Sequence, residues 1–222
     1  MGAITDEIPK PMLTVQGRPI LEHILRHLET AGFQKFFIVV GYRHEVIEEY
    51  FRNWHLPVQF RVQEPVNGTG SAARLAKNFA ATEPFLLTWG DILCDPAAYK
   101  RCLAIFGGAP DAVLAVKAVE DPYQGAAVYE EDGRVTHIIE KPPKGQSTTR
   151  WNNAGIFVFR PRIFDYLARL APSSRNEYEL TSALEMMLGD GLDLRISAIE
   201  GDWRDIGRPE DLAAANDSSL EA

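Results

Sequence analysis

The sequence predicts an α/β fold of Rossmann-like type: a doubly wound, mostly parallel sheet with a small antiparallel subregion. Three observations carry that expectation. Phe36-Phe37-Ile38-Val39-Val40, Phe85-Leu86-Leu87 and residues 112–116 are short, unbroken apolar runs, the pattern of strands buried on both faces. Amphipathic helical stripes alternate with these runs and set a βαβ rhythm. Past residue 125 the rhythm gives way to two strand-like segments around a tight turn.

Residues 19–31 place Ile20, Leu21, Ile24, Leu25 and Leu28 on one helical face, with Pro19 suited to the first turn and Gly32 to the stop. The run at Phe36 closes at Gly41. Val46, Ile47, Tyr50 and Phe51 form a second helical stripe, residues 58–62 alternate as a strand, and Ala73, Leu75 and Ala76 belong to a helix. The strand at Phe85 ends at Trp89-Gly90-Asp91. Asp95 and Pro96 supply an N-cap and a first-turn proline for a helix reaching Phe106. Residues 126–129 and 135–139 flank Glu131-Asp132-Gly133 as a hairpin, and residues 155–159 read as a further strand. Helices follow around 164–170, 180–188 and 209–215, and the polar stretch 144–149 reads as a loop. Without an internal repeat or a break in composition, residues 1–222 read as a single domain.

Composition narrows the function. A chain of 222 residues with 45% hydrophobic content can bury an enzyme-sized core. A net charge of −8 argues against nucleic acid as a partner, because a phosphate backbone needs a basic face. It leaves room for a small phosphate ligand, which needs only a few local cations and a metal. No apolar run approaches a membrane span and no signal peptide opens the chain, so a cytoplasmic protein without membrane attachment is expected. Cys94 and Cys102 lack metal-ligand or redox spacing and read as ordinary thiols of a reducing compartment. His23 and His27 stand four apart but have no partner ligand, and read as solvated helix positions.

Several segments suit phosphate chemistry. Pro9-Lys10-Pro11 holds an ammonium on a stiff, extended segment ahead of a helix. Asn67-Gly68-Thr69-Gly70 joins a strand ending near Gln63 to a helix, where glycines let backbone and ligand approach closely; a plain tight turn explains it equally well taken alone. Asp91 lies just past a buried strand, where open parallel sheets bind ligands. Asp205, within Trp203-Arg204-Asp205-Ile206-Gly207, is the second candidate carboxylate for a magnesium ion, or else a helix-entry turn residue. Asp95 reads as an N-cap. Gly125, Glu140-Lys141-Pro142 and Asn153-Ala154-Gly155 offer groups for a polyol and a phosphate, against the alternatives of a surface charge pair and a β-turn.

Taken in order, Pro9-Lys10-Pro11-Met12-Leu13, Gly68-Thr69-Gly70, Gly90-Asp91, Glu140-Lys141-Pro142 with Asn153-Ala154-Gly155, and Trp203-Arg204-Asp205-Ile206-Gly207 resemble the sugar-1-phosphate nucleotidylyltransferases along essentially the whole chain. With no hexapeptide β-helix pattern, the chain is similar to monofunctional, single-domain members such as the N-acetylmuramate-1-phosphate uridylyltransferases. The resemblance implies transfer of a nucleotidyl group from an NTP, UTP or dTTP, to a sugar 1-phosphate, giving an NDP-sugar and pyrophosphate in a monomer or homodimer. It implies that Lys10 contacts the phosphates, Asp91 and Asp205 hold Mg²⁺, and Gln63, Asn67, Gly68 and Thr69 meet the nucleotide. Gly125, Glu140, Lys141 and Asn153 would hold the sugar phosphate in the antiparallel subregion. The family's first strand and its Gly-x-Gly-Thr-Arg loop are missing ahead of Lys10, so the chain is expected to be truncated at its N-terminus and this form inactive. A non-catalytic nucleotide-sugar-binding or regulatory relative and a guanylyl- or cytidylyltransferase of the same fold stay open. A glycosyltransferase is disfavoured, because Asp91 and Asp95 are too far apart for an Asp-x-Asp motif.

Overall fold

The computed structural model describes residues 8–217, and the expectation about the start of the chain lies outside them. In chain order the strands are β1 (Thr14–Val15), β2 (Arg18–Pro19), β3 (Phe36–Val40), β4 (Val58–Val62), β5 (Phe85–Thr88), β6 (Ile92–Cys94), β7 (Ala112–Ala118), β8 (Ala126–Glu131), β9 (Arg134–Glu140), β10 (Trp151–Phe159), β11 (Leu194–Ala198) and β12 (Trp203–Asp205). The helices are α1 (Ile20–Thr30), α2 (His44–Phe51), α3 (Thr69–Arg74), α4 (Lys77–Ala80), α5 (Ala97–Phe106), α6 (Ile163–Leu167), α7 (Leu180–Gly189) and α8 (Pro209–Asp217). The chain divides into two compact units, the second comprising Gln63–Thr88 and Ala98–Glu200 and the first the remainder.

The first unit opens on a 3₁₀ turn, Lys10–Met12, where the sequence suggested an extended segment. Pro9 is extended, but the fixed φ of Pro11 suits a helical turn as well, and Met12 N–H donates to the Pro9 carbonyl at 2.8 Å. The apolar face of α1 supplies the core: Ile20, Leu21, Ile24, Leu25 and Leu28 are all buried. β3, α2 and β4 form a parallel βαβ crossover, paired from Phe36↔Val58 to Val40↔Val62. β6 and β12 pair antiparallel, and Ile92, Leu93 and Ile206 are buried beneath them. Asn216 on α8 accepts from Gln16 N–H at 2.9 Å and donates to the Thr14 carbonyl at 3.3 Å, tying that helix to the β1–β2 hairpin.

The second unit is built on a six-stranded sheet in the order β5-β10-β7-β11-β9-β8. Its core is dense in large side chains, among them Leu114, Ile156, Phe157, Phe159, Ile163 and Leu167, all essentially inaccessible. The hairpin turns through Asp132 and Gly133, both at positive φ, as a two-residue connection between right-twisting strands requires.

The sheets are mixed, not mostly parallel: among the described strands only β3–β4 and β7–β11 run parallel. The difference turns on β10, nine residues long, which runs antiparallel to both β5 and β7. Residues 141–150 join β10 to β9, which is not its ladder partner, so no single local crossover sets its direction against β5 and β7.

Candidate active site

In the first unit, β6 and β12 bring two carboxylates to one end of their ladder. Asp205 pairs with Ile92, and Ile206 N–H donates to the Asp91 carbonyl at 3.0 Å, so Asp91 and Asp205 are neighbours across two strands despite their separation in sequence. Lys10 reaches both: its Nζ lies 2.5 Å from Asp91 Oδ2 and 3.7 Å from Asp205 Oδ1. Gly90 lies beside the lysine turn, where a Cβ would meet the Pro11 ring at 3.4 Å, an ordinary contact. The Asp205 carboxyl is held above the ordinary carboxylate range, by burial first and then by the charge of Asp91, which together outweigh Lys10.

Among the described residues no group of three or more His, Cys, Asp or Glu gathers as metal ligands. Asp95 is the helix cap the sequence suggested, accepting from Ala97 N–H at 2.7 Å. The two histidines are not solvated helix positions. His23 is buried with Nε2 2.8 Å from the Val15 carbonyl, and His27 Nδ1 sits 3.1 Å from the Cys94 carbonyl. Both act as internal fasteners of the first unit.

In the second unit the turn at residues 67–70 is stitched to the segment 178–180. Tyr178 N–H donates to the Asn67 carbonyl at 2.8 Å, Gly70 N–H donates to the Tyr178 carbonyl at 2.8 Å, and Thr69 Oγ1 accepts from Leu180 N–H at 3.1 Å. Gln63 closes the turn from the other side, its Nε2 donating to the Gly68 carbonyl at 3.0 Å. Gly68 has φ 122°, and a Cβ there would lie 2.5 Å from the Tyr178 carbonyl oxygen. Asn67 Oδ1 is buried and has no hydrogen-bond partner.

A second group surrounds Glu140. Lys141 N–H donates to the Gly125 carbonyl at 2.7 Å, and Gly125 packs so closely on the Asn152 amide that no side chain fits. Asn153 follows on β10, just before a register shift against β7. It is 2% exposed; its Oδ1 accepts from Gly155 N–H at 3.1 Å, while its Nδ2 has no partner. Glu140 accepts from Thr181 Oγ1 at 3.0 Å and has Arg175 Nη2 at 3.5 Å. Burial pushes its carboxyl above the usual range, and the Thr181 hydrogen bond opposes that only in part. Arg175 is itself held by buried Glu179 at 2.6 Å.

The structure thus gathers Lys10, Asp91 and Asp205 in one unit. In the other it gathers Gln63, Asn67, Gly68 and Thr69, and separately Gly125, Glu140, Lys141 and Asn153. Arg175, Tyr178, Glu179 and Thr181 were not singled out from the sequence. Their one local signal is the polar run Arg175-Asn176-Glu177-Tyr178-Glu179 immediately before the apolar helix α7.

Residues 2–222 match the family described as Nucleotidyl transferase. The chain belongs to the nucleotidyl transferase family, of the sugar-1-phosphate nucleotidylyltransferase kind. It is 36% identical over 220 residues to "Bifunctional protein GlmU" of Methanococcus maripaludis (strain C7), covering 98% of this chain and 51% of that protein. It is 30% identical over 214 residues to "UTP--glucose-1-phosphate uridylyltransferase AglF" of Haloferax volcanii, covering 94% and 86% respectively. The chain spans about half the length of the first of these relatives. A solved UDP-glucose pyrophosphorylase complexed with UDP-glucose shares the fold with a TM-score of 0.89 at 22% identity, over 97% of this chain and 92% of that one.

Proposed function

We propose that the chain transfers a nucleotidyl group from UTP or dTTP to a sugar 1-phosphate, releasing pyrophosphate. One observation carries the reading: in a member of the nucleotidyl transferase family, a single ammonium lies within 4 Å of two strand-end carboxylates, Lys10 between Asp91 and Asp205. A sugar phosphate has its second pKa near ~6, so it is already an anionic nucleophile at neutral pH and needs no general base. The protein's work is then positioning and charge neutralisation for an in-line displacement at the α-phosphorus. No histidine or cysteine stands in the clusters described, which agrees with that demand.

Asp91 and Asp205 fit a divalent cation such as magnesium. They are hard oxygen donors, and magnesium takes one or two carboxylates together with substrate phosphates, so a third protein ligand is not required. Magnesium held there supplies charge neutralisation on the phosphates. Lys10 contacts the phosphates, and Lys141, whose side chain is exposed, is a second phosphate contact. Gln63 shapes the nucleotide turn, Gly68 and Thr69 provide its backbone, and Asn67 Oδ1 offers an acceptor to the imide N–H of uracil or thymine. Glu140 accepts hydrogen bonds from sugar hydroxyls, the unpartnered Asn153 Nδ2 donates one, and Gly125 presents bare backbone to the sugar phosphate. Residues 1–222 act as a Rossmann-like, doubly wound nucleotidyltransferase domain, for which the parallel β3–α2–β4 crossover is the support.

The test is pyrophosphate release by the protein from UTP, dTTP, GTP and CTP, each with a panel of sugar 1-phosphates and Mg²⁺. Turnover with a uridine or thymidine nucleotide is expected. A folded chain that binds nucleotide sugars but releases no pyrophosphate from any pair would replace the enzyme with a binding or regulatory protein.

A further inference from the structure

We infer that Lys10 is a tethered stand-in for the metal ion, and that a divalent cation occupies Asp91 and Asp205 only as the nucleotide draws the lysine away. The inference rests on the proposed phosphate and metal roles of these three residues. Lys10 Nζ sits 2.5 Å from Asp91 Oδ2, a direct ion pair on an oxygen that a hard cation would take as ligand. The same ammonium reaches Asp205 at 3.7 Å, so it offsets charge on both carboxylates from one position and leaves a net negative charge there. A metal on those same oxygens and an ammonium in contact with them compete, because two cations that close repel and an oxygen shared between them holds each more weakly.

The lysine has a fixed anchor and a mobile end. Its backbone lies in the 3₁₀ turn between Pro9 and Pro11, closed by the Met12 N–H to Pro9 carbonyl bond, with Met12 and Leu13 buried and Gly90 packed on the Pro11 ring. Beyond that anchor runs a four-carbon stem carrying three donors that can change partners. A triphosphate gives the ammonium new anionic partners and frees both carboxylates at once. Bare metal must instead compete with a cation covalently attached to the site. Metal and nucleotide therefore bind with positive coupling, and each raises the affinity for the other by the same factor.

Mn²⁺ is the probe, followed by the electron paramagnetic resonance signal of the free ion with the complete chain in the absence of nucleotide. Lys10→Met and Lys10→Gln, each checked for a cooperative melt, are expected to bind Mn²⁺ about tenfold or more tighter than the unaltered chain. Equal or weaker binding in folded variants overturns the inference. Asp91→Asn placed on Lys10→Met separates the two levels: unchanged Mn²⁺ affinity there means that the metal assignment itself fails. The unaltered chain gives an independent reading. With lysines ¹³C-dimethylated, and the Lys10 signal assigned by its absence in Lys10→Arg, Mg²⁺ alone should leave that signal in place. Mg²⁺ with a non-hydrolysable UTP analogue should move it. Movement with Mg²⁺ alone, or none with both, overturns the displacement.

Discussion

The cluster around Lys10 is held by charge at partly exposed strand ends, whereas the cluster around Glu140 and Asn153 is held by hydrogen bonds on largely buried backbone. The first has three side chains, one ammonium set against two carboxylates. The second enlists Thr181, Arg175 and Glu179 from a distant segment and leaves one buried donor, Asn153 Nδ2, unsatisfied. An unpaired buried donor costs about 1–3 kcal/mol, which a ligand acceptor at Asn153 would relieve, whereas one ammonium between two carboxylates leaves a net negative charge that a cation would offset. On the proposed function, substitution should separate the two kinetically. Asp91→Asn should lower kcat roughly 10²–10³-fold with little change in KM for the sugar phosphate. Asn153→Ala should raise that KM by about tenfold and spare most of kcat. Steady-state kinetics with both substrates varied checks this, and identical effects of the two variants would erase the distinction.

The same contrast extends to stability. Gly68 belongs to the hydrogen-bonded side, and its place is set by backbone alone: φ 122° and Tyr178 main-chain atoms where a Cβ would stand. Gly68→Ala must shift main chain, so a loss of roughly 2–4 kcal/mol is expected in urea unfolding. Gly90→Ala, in the charge-built unit, meets only the Pro11 ring at 3.4 Å and should cost under ~1 kcal/mol. A Gly90→Ala loss as large as that of Gly68→Ala would show that the lysine turn is as rigidly seated as the nucleotide turn.

How far each region could be read from sequence follows the same division. β3, β5 and β7 announce themselves as unbroken apolar runs, and α1 as a five-residue apolar face, because burial on both sides or on one stripe leaves a local pattern. Lys10, Asp91 and Asp205 are legible because prolines and glycines mark the chain where strands end. β6 and β12, three residues each, are too short to leave a period, and β11 has Arg195 and Ser197 among its five residues. The direction of β10 depends on what lies across the sheet and not on its own residues. Arg175, Tyr178 and Thr181 stayed hidden for a related reason. Their partners are Glu140 and the turn at residues 67–70, and the Thr69–Leu180 bond joins positions 111 apart. No local pattern encodes a hydrogen bond of that separation.

The smallest expected effect concerns pH, where both clusters contain a carboxyl held above its ordinary range: Asp205 through burial and then Asp91, Glu140 through burial. For such a group the folded state favours the protonated form. Its contribution to stability is fully present below the unfolded pKa, near ~4, and is lost as pH rises through the folded value. At neutral pH each ionised carboxylate therefore weakens the fold, and an amide, which cannot ionise, should remove that penalty. Asp205→Asn and Glu140→Gln are both expected to raise the unfolding midpoint at pH 7, by about 1–3 °C, with the gain vanishing toward pH 3. The gain should be smaller for Asp205, whose side chain is 51% exposed against 29% for Glu140, since solvent screens an exposed charge. Both variants should lose activity while gaining stability, which sets function against fold at those two positions. Melting curves from pH 3 to 8 decide it: if the variants track the unaltered chain in parallel across that range, neither carboxylate is strained by ionisation and the charge-built and buried clusters are electrostatically alike.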